Sequence, residues 1–362
     1  MSNQGNRPRF NTKSLIYPIV LLGLMFAVQQ YRERKYGQDL AENASKLVYF
    51  EGNTMGTTYH IKYLDESQRN YKQQVDSVLL DFNQALSTYI ADSEISQFNR
   101  EQRLKYKSPY FYPVLEASKE VYEITDGAFD PTIGPLAKAW GFGAGDRTKM
   151  SQAKVDSLLA LLDFPSIVFD QEEVKKERPE VQLNVNALAK GYGVDVVADY
   201  LKAQGVEHLM VEIGGEVVCH GLSDKNMPWV IGIDEPLTAE ELAERGVKRQ
   251  LYAAIKVENQ GMATSGNYRN YYVENGVKYA HTIDPKTGYP VQRSLLSATV
   301  LAPNCMLADA YATAFMVMGV EKSIAILESQ PALEGYLIYS DAEGKMKIYA
   351  TKGAEKAMVN IR

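Results

Sequence analysis

Residues 281–288 place a titratable ring, a carboxylate and a tight turn next to one another. The chain of 362 residues has only four His, so His281 is one of few side chains that titrate near pH 7. Asp284, Pro285 and Gly288 indicate a turn, because Pro presets φ and Gly relieves the last turn position. The alternating residues 279–283 predict a strand, so His281 and Asp284 lie near a strand end. His281 is therefore either catalytic or a structural residue whose ring nitrogens only form hydrogen bonds with neighbouring groups.

A second candidate pair is Asp309 with Thr313, four residues apart on a helix that Asn304 is predicted to cap. Residues at this spacing share one helix face, so the carboxylate and the hydroxyl point at the same place. Both are oxygen ligands of the kind that Mg²⁺ or Ca²⁺ prefers. The alternative is that Asp309 only complements the positive end of the helix dipole.

A third candidate site lies where a strand passes into a helix, at Asn184, Ala187 and Lys190. Free backbone N–H groups at a helix N-terminus, together with a lysine in the first turns, form an anion site. A lysine so early opposes the helix dipole, and a bound phosphate would offset that cost. The alternative is a lysine that is simply solvated.

Two further segments are rich in small residues, Gly or Pro. Residues 127–135, which include Ala128, Phe129 and Asp130, suit a binding loop or a plain connector. Residues 263–267, with Thr264 and Ser265, are predicted to form a loop between strands, either a turn or a place where a ligand approaches the backbone. The chain has no GxxxxGK[ST], GxGxxG or GxSxG motif, which argues against phosphate-loop, dinucleotide-binding and hydrolase-elbow sites.

The composition is that of an ordinary globular protein, with 45% hydrophobic and 23% charged residues and a net charge of -6. The chain has no basic stripe interleaved with aromatic residues, so we expect no nucleic-acid partner. Cys219 and Cys305 are far apart and have no zinc-ligand spacing. The length suits about two domains or one large one.

The N-terminus contains an apolar run, residues 15–28, with Arg7 and Arg9 before it and Arg32 and Arg34 after it. The uncharged stretch is close to the minimum length for a membrane span, which is typically about 20 residues. It ends in a poor cleavage site, which favours an uncleaved anchor over a signal peptide. We therefore expect a membrane anchor in residues 1–36, a linker in 37–46, a catalytic domain in 47–352 and a tail in 353–362. The expected location is the inner membrane, with one N-terminal span and the catalytic domain on the periplasmic side.

Periodicity and capping residues predict a mixture of helices and strands without regular βαβ alternation, which is typical of an α+β fold with largely antiparallel sheets. Helices are predicted over residues 67–87, 114–127, 151–162, 186–205, 238–246, 304–318 and 321–327. Strands are predicted over residues 47–50, 57–63, 208–213, 216–220, 229–233, 252–258, 268–273, 297–302, 335–339 and 345–349. Gly214 and Gly215 between two strands are a strong signal of a two-residue hairpin.

These motifs, in this order, resemble those of ApbE-type flavin transferases. The resemblance covers about residues 47–340 and rests on residues 52–59, 87–99, 127–135, 189–192, 214–215, 263–266, 281–288 and 309–313. It implies a two-lobed α+β fold and an enzyme that splits FAD at its pyrophosphate. Such an enzyme links the FMN phosphate to a Thr or Ser hydroxyl of an acceptor protein and releases AMP. The acceptors implied are subunits of membrane redox complexes of the RNF and NQR type.

The resemblance also implies roles for particular residues. Those that would line the FAD site are Met55, Tyr89, Ala128, Phe129, Asp130, Asn184, Lys190, Thr264, Ser265 and His281. Asp309, Thr313 and the carbonyl of Ala187 would hold Mg²⁺. Many members have Asp where this chain has Asn184, which can still donate and accept hydrogen bonds but carries no charge.

The implied chemistry needs charge neutralisation on two phosphates and a base for the attacking hydroxyl. A metal ion and Lys190 would neutralise the phosphates, and His281, Asp284 or Asp309 would accept the proton. Two alternatives use the same motifs: an FAD pyrophosphatase that yields FMN and AMP, and a non-catalytic protein that binds or stores FAD. A protein that only stores FAD would not need the candidate metal ligands Asp309 and Thr313.

Overall fold

The centre of the protein is an eight-stranded sheet whose neighbouring strands are all antiparallel. The structure is a computed structural model that describes residues 12–143, 147–267, 271–274 and 277–359. The strands are β1 (Leu47–Thr54), β2 (Thr57–Leu64), β3 (Arg103–Lys105), β4 (Ile167–Phe169), β5 (Glu173–Lys176), β6 (Leu209–Ile213), β7 (Glu216–His220), β8 (Trp229–Asp234), β9 (Leu251–Val257), β10 (Gln260–Gly266), β11 (Tyr271–Glu274), β12 (Val277–Ala280), β13 (Leu295–Ala302), β14 (Glu334–Ser340), β15 (Met346–Ala350) and β16 (Met358–Val359).

The order of the large sheet is β1-β2-β6-β7-β10-β13-β14-β15, and smaller sheets have the orders β16-β9-β8, β3-β5-β4 and β11-β12. The helices are α1 (Thr12–Lys46), α2 (Lys72–Leu86), α3 (Glu94–Arg100), α4 (Phe111–Ile124), α5 (Gly134–Ala139), α6 (Gln152–Leu159), α7 (Asn186–Ala203), α8 (Ala239–Glu244), α9 (Cys305–Met318), α10 (Val320–Ser329) and α11 (Lys352–Ala357). The α+β class with antiparallel sheets is therefore confirmed.

Helix α9 is the most deeply buried helix of the core, between α7 and strands β10 and β13. Asn304 caps it by accepting a hydrogen bond from the N–H of Leu307, and Gly319 ends it with a φ of +82°. Both termini are where the sequence predicts them. Because small residues such as Ala308, Ala310, Ala312 and Ala314 dominate its surface, the helix lies close to its neighbours.

Two glycines make this close approach possible. A Cβ on Gly191 of α7 would collide with the carbonyl of Cys305 and lie 2.8 Å from the Cβ of Asp309. A Cβ on Gly261 of β10 would collide with the backbone of Asn304 and Cys305. Any side chain at either position would therefore push α9 away from α7 or from the sheet.

The predicted Gly-Gly hairpin is also confirmed. Gly214 and Gly215 have φ values of +62° and +106°, and they join β6 to β7 beyond the closing pair of Ile213 and Glu216. Positive φ at both turn positions is what a tight two-residue hairpin requires, and glycine adopts it without a Cβ penalty.

The other face of the large sheet is covered by the three-stranded sheet β16-β9-β8 through an apolar layer that includes Val217, Met262, Ile255 and Ile338. A separate small cluster joins α5 and α6 to the segment after β12, where the indole of Trp140 donates to the carbonyl of Gly288 at 2.8 Å. This segment carries His281, so α5 and α6 fix one wall of the site described below.

Several predictions from the sequence were wrong or incomplete. Residues 263–267 are not a loop, because 263–266 belong to the central strand β10, whose small side chains leave room for α9. Residues 37–46, treated as a linker, are the last turns of α1. Residues 353–359 of the expected tail form α11 and β16, which pairs with β9 and buries Ala354. The helix α3 and the short strands β3 to β5 were not predicted, and 268–270 of a predicted strand lie outside the described residues.

The N-terminal helix α1 extends into β1 without a break. Within the part of the chain that the structure describes, no helix combines the length and the apolar character needed to cross a membrane. The cations Arg7 and Arg9 lie outside the described residues.

The packing of α9 against β10 predicts that Gly261→Ala will be destabilising. The new methyl group has backbone rather than a flexible side chain in its way, so we expect the free energy of unfolding to fall by about 1–3 kcal/mol. Gly232→Ala is the matched control, because the atoms nearest to its methyl group belong to the side chain of the exposed Leu251. Urea denaturation measures both, and equal stability of the two variants would contradict the account of α9 packing.

Candidate active site

Lys190 and Asp309 meet because α7 and α9 are in such close contact. The N–H of Gly191 donates to Oδ2 of Asp309 at 3.0 Å, and Nζ of Lys190 lies 3.9 Å from the same oxygen. Asp309 is almost completely buried, whereas Lys190 is partly exposed. The helix contact thus brings an ammonium group and a buried carboxylate together at one end of a cavity.

Glu216 completes this charged cluster and was not predicted as a site residue. It is the first residue after the Gly-Gly hairpin, is only 4% exposed, and its Oε1 accepts a hydrogen bond from Nζ of Lys190 at 2.5 Å. Its Oε2 is buried and has no hydrogen-bond partner among the described residues. Two carboxylates therefore share one lysine, which leaves an excess of negative charge.

The ionisation of these groups follows from burial and from their mutual attraction. Burial raises the pKa of Asp309 to about 7, the Lys190 ammonium opposes this rise and the Glu216 carboxylate adds to it. Burial lowers the pKa of Lys190, but Asp309 and Glu216 outweigh this effect and hold it above the ordinary value of a lysine. Lys190 therefore remains charged at pH 7, and its ammonium group opposes the protonation that burial favours at Asp309.

A second wall of the cavity comes from the loop before α5. The backbone N–H of Asn184 donates to the carbonyl of Pro131 at 2.6 Å, and its Oδ1 accepts from the N–H of Asn186 at 3.0 Å. Asn184 thus joins this loop to the first turn of α7. Asp130 accepts hydrogen bonds from the N–H and hydroxyl of Thr132, and burial raises its pKa above the ordinary value.

Apolar side chains also line the cavity, among them Val317 and a cluster of Ile133, Ala137, Phe142 and Ile283. His281 also lines the cavity, and its ring lies edge-on to that of Phe142 with 6.4 Å between the ring centroids. A ligand that combines an aromatic ring system with charged groups would find both apolar contacts and charged partners in this cavity.

Strand β10 and helix α9 supply hydroxyl groups to the cavity. The hydroxyl of Ser265 lies 3.4 Å from that of Thr313, and the hydroxyl of Thr264 lies 2.9 Å from that of Thr299 on β13. Because Thr313 and Asp309 are on one face of α9, a hydroxyl and a carboxylate reach the cavity together.

The cavity has a volume of about 400 Å³ and gathers most of the residues predicted from the sequence. Those that line it are Ala128, Phe129, Asp130, Asn184, Ala187, Lys190, Thr264, Ser265, His281, Asp309 and Thr313. Three predicted site residues are not among the lining residues: Met55, Tyr89 and Asp284.

Each of these three has a different environment. Met55 is at the tip of the β1–β2 hairpin and packs where Gly193 of α7 has no side chain. Tyr89 is 64% exposed, so its stacking on a ring stays a prediction. Asp284 is buried in its own turn, where it accepts from the N–H of Lys286 at 2.8 Å and pairs with Arg293 at 3.5 Å. Its contacts are those of a residue that shapes the turn.

Two further lining residues that the sequence analysis did not identify are Asp234 and Arg249, whose side chains are 2.5 Å apart. No motif marks them. Glu216 could have been found as a charged residue at the start of an otherwise apolar strand, directly after the two glycines.

The donor set favours a hard divalent cation over a softer metal. The described residues contain no group of three or more His, Cys, Asp and Glu side chains that could hold a metal by themselves. The cavity does bring the Asp309 carboxylate and the Thr313 hydroxyl to one place, beside the unpaired oxygen of Glu216. A site with only a few oxygen-bearing side chains suits Mg²⁺. This ion usually retains several water ligands and completes its coordination with substrate phosphates.

The excess of negative charge predicts that Glu216→Gln will bind anions more tightly. With the carboxylate removed, we expect the affinity for inorganic pyrophosphate without divalent cations to rise about tenfold, the scale of one charge repulsion near a protein surface. Calorimetric titration measures this affinity. Asp199→Asn is the control, because it removes an exposed carboxylate that pairs with Lys202 outside the cavity. Unchanged affinity in Glu216→Gln would refute the charge argument.

Comparison with known proteins identifies the family of this chain. The chain matches the ApbE family over residues 55–337. It is 37% identical over 317 residues to the FAD:protein FMN transferase of Haemophilus influenzae, covering 84% of this chain and 89% of that protein. The corresponding protein of Vibrio cholerae is 37% identical over 296 residues, covering 80% and 86%.

Solved structures give the same result. The flavin transferase ApbE from Vibrio cholerae has a TM-score of 0.76 and 34% identity, covering 86% of this chain and 99% of that one. The apo form of the Pseudomonas stutzeri flavinyl transferase ApbE has a TM-score of 0.75 and 31% identity, covering 86% and 96%. With a family match across most of its length and these relatives, the chain belongs to the ApbE family.

Proposed function

We propose that this protein is an FAD:protein FMN transferase, which cleaves FAD at its pyrophosphate, attaches FMN to a Thr or Ser hydroxyl of an acceptor protein and releases AMP. The main support is a cavity lined both by apolar side chains and by the charged pair of Lys190 and Asp309, in a chain whose relatives are named for this activity. The acceptors we propose are subunits of RNF- or NQR-type membrane redox complexes.

In this proposal Mg²⁺ is held by Asp309, Thr313 and the carbonyl of Ala187, all of which line the cavity. When bound, it would neutralise charge on the diphosphate and on the leaving AMP. Lys190 would supply a permanent positive charge beside the same phosphates. Neutralisation of two phosphates is the main requirement before a hydroxyl can attack.

We propose His281 as the base that accepts the proton of the attacking hydroxyl. Its ring lines the cavity, whereas Asp284 is occupied by its own turn and by Arg293. Asp309 is the other remaining candidate, but its Oδ2 already accepts from Gly191 and lies near Lys190. A role of Asp309 in cation binding and a role of His281 in proton transfer are therefore the consistent division of tasks.

Two other functions use the same cavity. An FAD pyrophosphatase would pass FMN to water and give free FMN and AMP, and a storage protein would bind FAD without turnover. Incubation with FAD, Mg²⁺ and a flavin-free RNF-type acceptor subunit separates the three, since only the transferase makes an acceptor band that stays fluorescent in denaturing electrophoresis.

We also propose attachment to the inner membrane through residues 15–28, with the catalytic domain on the periplasmic side. The support is the uncharged run between clusters of cations in the sequence. Cell fractionation of the full chain and of residues 37–362 tests this proposal, and recovery of the full chain in the soluble fraction would count against it.

The proposed metal role predicts the behaviour of Asp309→Asn. Loss of the carboxylate charge weakens cation binding, so we expect FMN transfer to fall about 100-fold at low Mg²⁺, with the fold intact. Asp199→Asn is the control, because Asp199 is an exposed carboxylate that pairs with Lys202 outside the cavity. The rate of acceptor labelling across a Mg²⁺ titration measures both variants, and wild-type rates for Asp309→Asn would refute the metal assignment.

A further inference from the structure

We infer that the acceptor protein docks on the free edge of β8, where an extended acceptor segment adds as a further strand and directs its Thr or Ser side chain into the cavity. This inference rests on the proposed transferase function and identifies the surface that recognises the partner. It concerns the backbone edge of β8, including Val230, which is not among the residues that line the cavity.

Strand β8 is at the edge of its sheet. Among the strands that the structure describes, β8 pairs only with β9, which pairs with β16 on its other side. An edge strand presents backbone N–H and C=O groups in a row, which is a template for pairing with another chain.

The direction of these backbone groups follows from the pairing. The N–H of Glu235 donates to the carbonyl of Gln250 at 2.8 Å, on the side of β9. The register shift after Ile233 places one extra residue on β9 and none on β8. The backbone groups of β8 therefore keep pointing alternately towards β9 and away from it. Successive residues of an antiparallel strand point their backbone groups to opposite sides, so those of Val230 and Gly232 face the free edge.

This edge borders the active-site cavity. Gly232 is a lining residue, and since it has no side chain, its backbone itself forms that part of the wall. A glycine inside a strand often marks a place where another backbone or a ligand approaches closely. A segment paired with Gly232 would therefore run along the mouth of the cavity.

Strand addition fits what transfer to a protein requires. Main-chain hydrogen bonds would hold the acceptor segment, while every second side chain would point to the same side, so that one hydroxyl enters the cavity. Val230 and Leu251 are 53% and 45% exposed and offer apolar contacts at the rim. Arg249, which is held by Asp234, lines the cavity at the same edge. If water were the acceptor, no strand edge would be needed to bind it. This surface would therefore serve only transfer to a protein.

Val230→Pro tests the inference, because proline removes the edge-facing N–H and is tolerated at edge positions of a sheet. We expect labelling of a flavin-free RNF-type acceptor subunit, at subsaturating concentration, to fall about tenfold through loss of one main-chain hydrogen bond and the local fit. FAD affinity should match that of the wild type, because Val230 does not line the cavity. Val230→Ala keeps the N–H and should label the acceptor at close to the wild-type rate.

A second measurement uses the wild-type protein, so it does not depend on the folding of a variant. Synthetic peptides that span the labelled hydroxyl of the acceptor carry one backbone N-methyl group each. Strand pairing predicts that labelling is lost at alternate positions, because only every second N–H faces β8. Loss with no alternation, or wild-type labelling by Val230→Pro, would overturn the inference. Failure of the wild type to label any acceptor would instead count against the proposed function.

Discussion

The close contact between α7 and α9 is the constraint on which the site depends. Gly191 has no side chain, so the carbonyl of Cys305 and the Cβ of Asp309 can lie where a Cβ would otherwise be. The same residue donates its N–H to Asp309, which leaves Lys190, its neighbour in sequence, beside the buried carboxylate. The small residues of α9 and of β10 serve this contact, because bulkier ones would separate the two helices.

The second constraint is charge. Asp309 and Glu216 share the ammonium of Lys190 at the buried end of the cavity, where charge is weakly screened. An anionic diphosphate would add to the excess of negative charge. A divalent cation would offset this excess, and this charge balance is a physical reason to propose that the reaction requires a cation. The proposed function and the proposed Mg²⁺ site are thus linked through the unpaired oxygen of Glu216.

Much of the fold could be predicted from local signals, and the rest depends on contacts between distant residues. The ends of α9 follow from Asn304 and Gly319, and the β6–β7 hairpin follows from its two glycines. Strand β10 was missed because its small residues have low strand propensity, yet they are required under α9. Asp234 and Arg249 were missed as well, since no motif marks them and only the folding of the chain brings them to the cavity.

The central claim is that the α7–α9 contact creates a cation site for the diphosphate of FAD. Crystals grown with FAD and Mn²⁺, measured for anomalous scattering, test it directly. The account predicts a strong Mn²⁺ peak in contact with the Asp309 carboxylate and the Thr313 hydroxyl, with the diphosphate bridging from it towards Lys190. FAD bound in the cavity with Mn²⁺ elsewhere, or with no Mn²⁺ at Asp309, would contradict it.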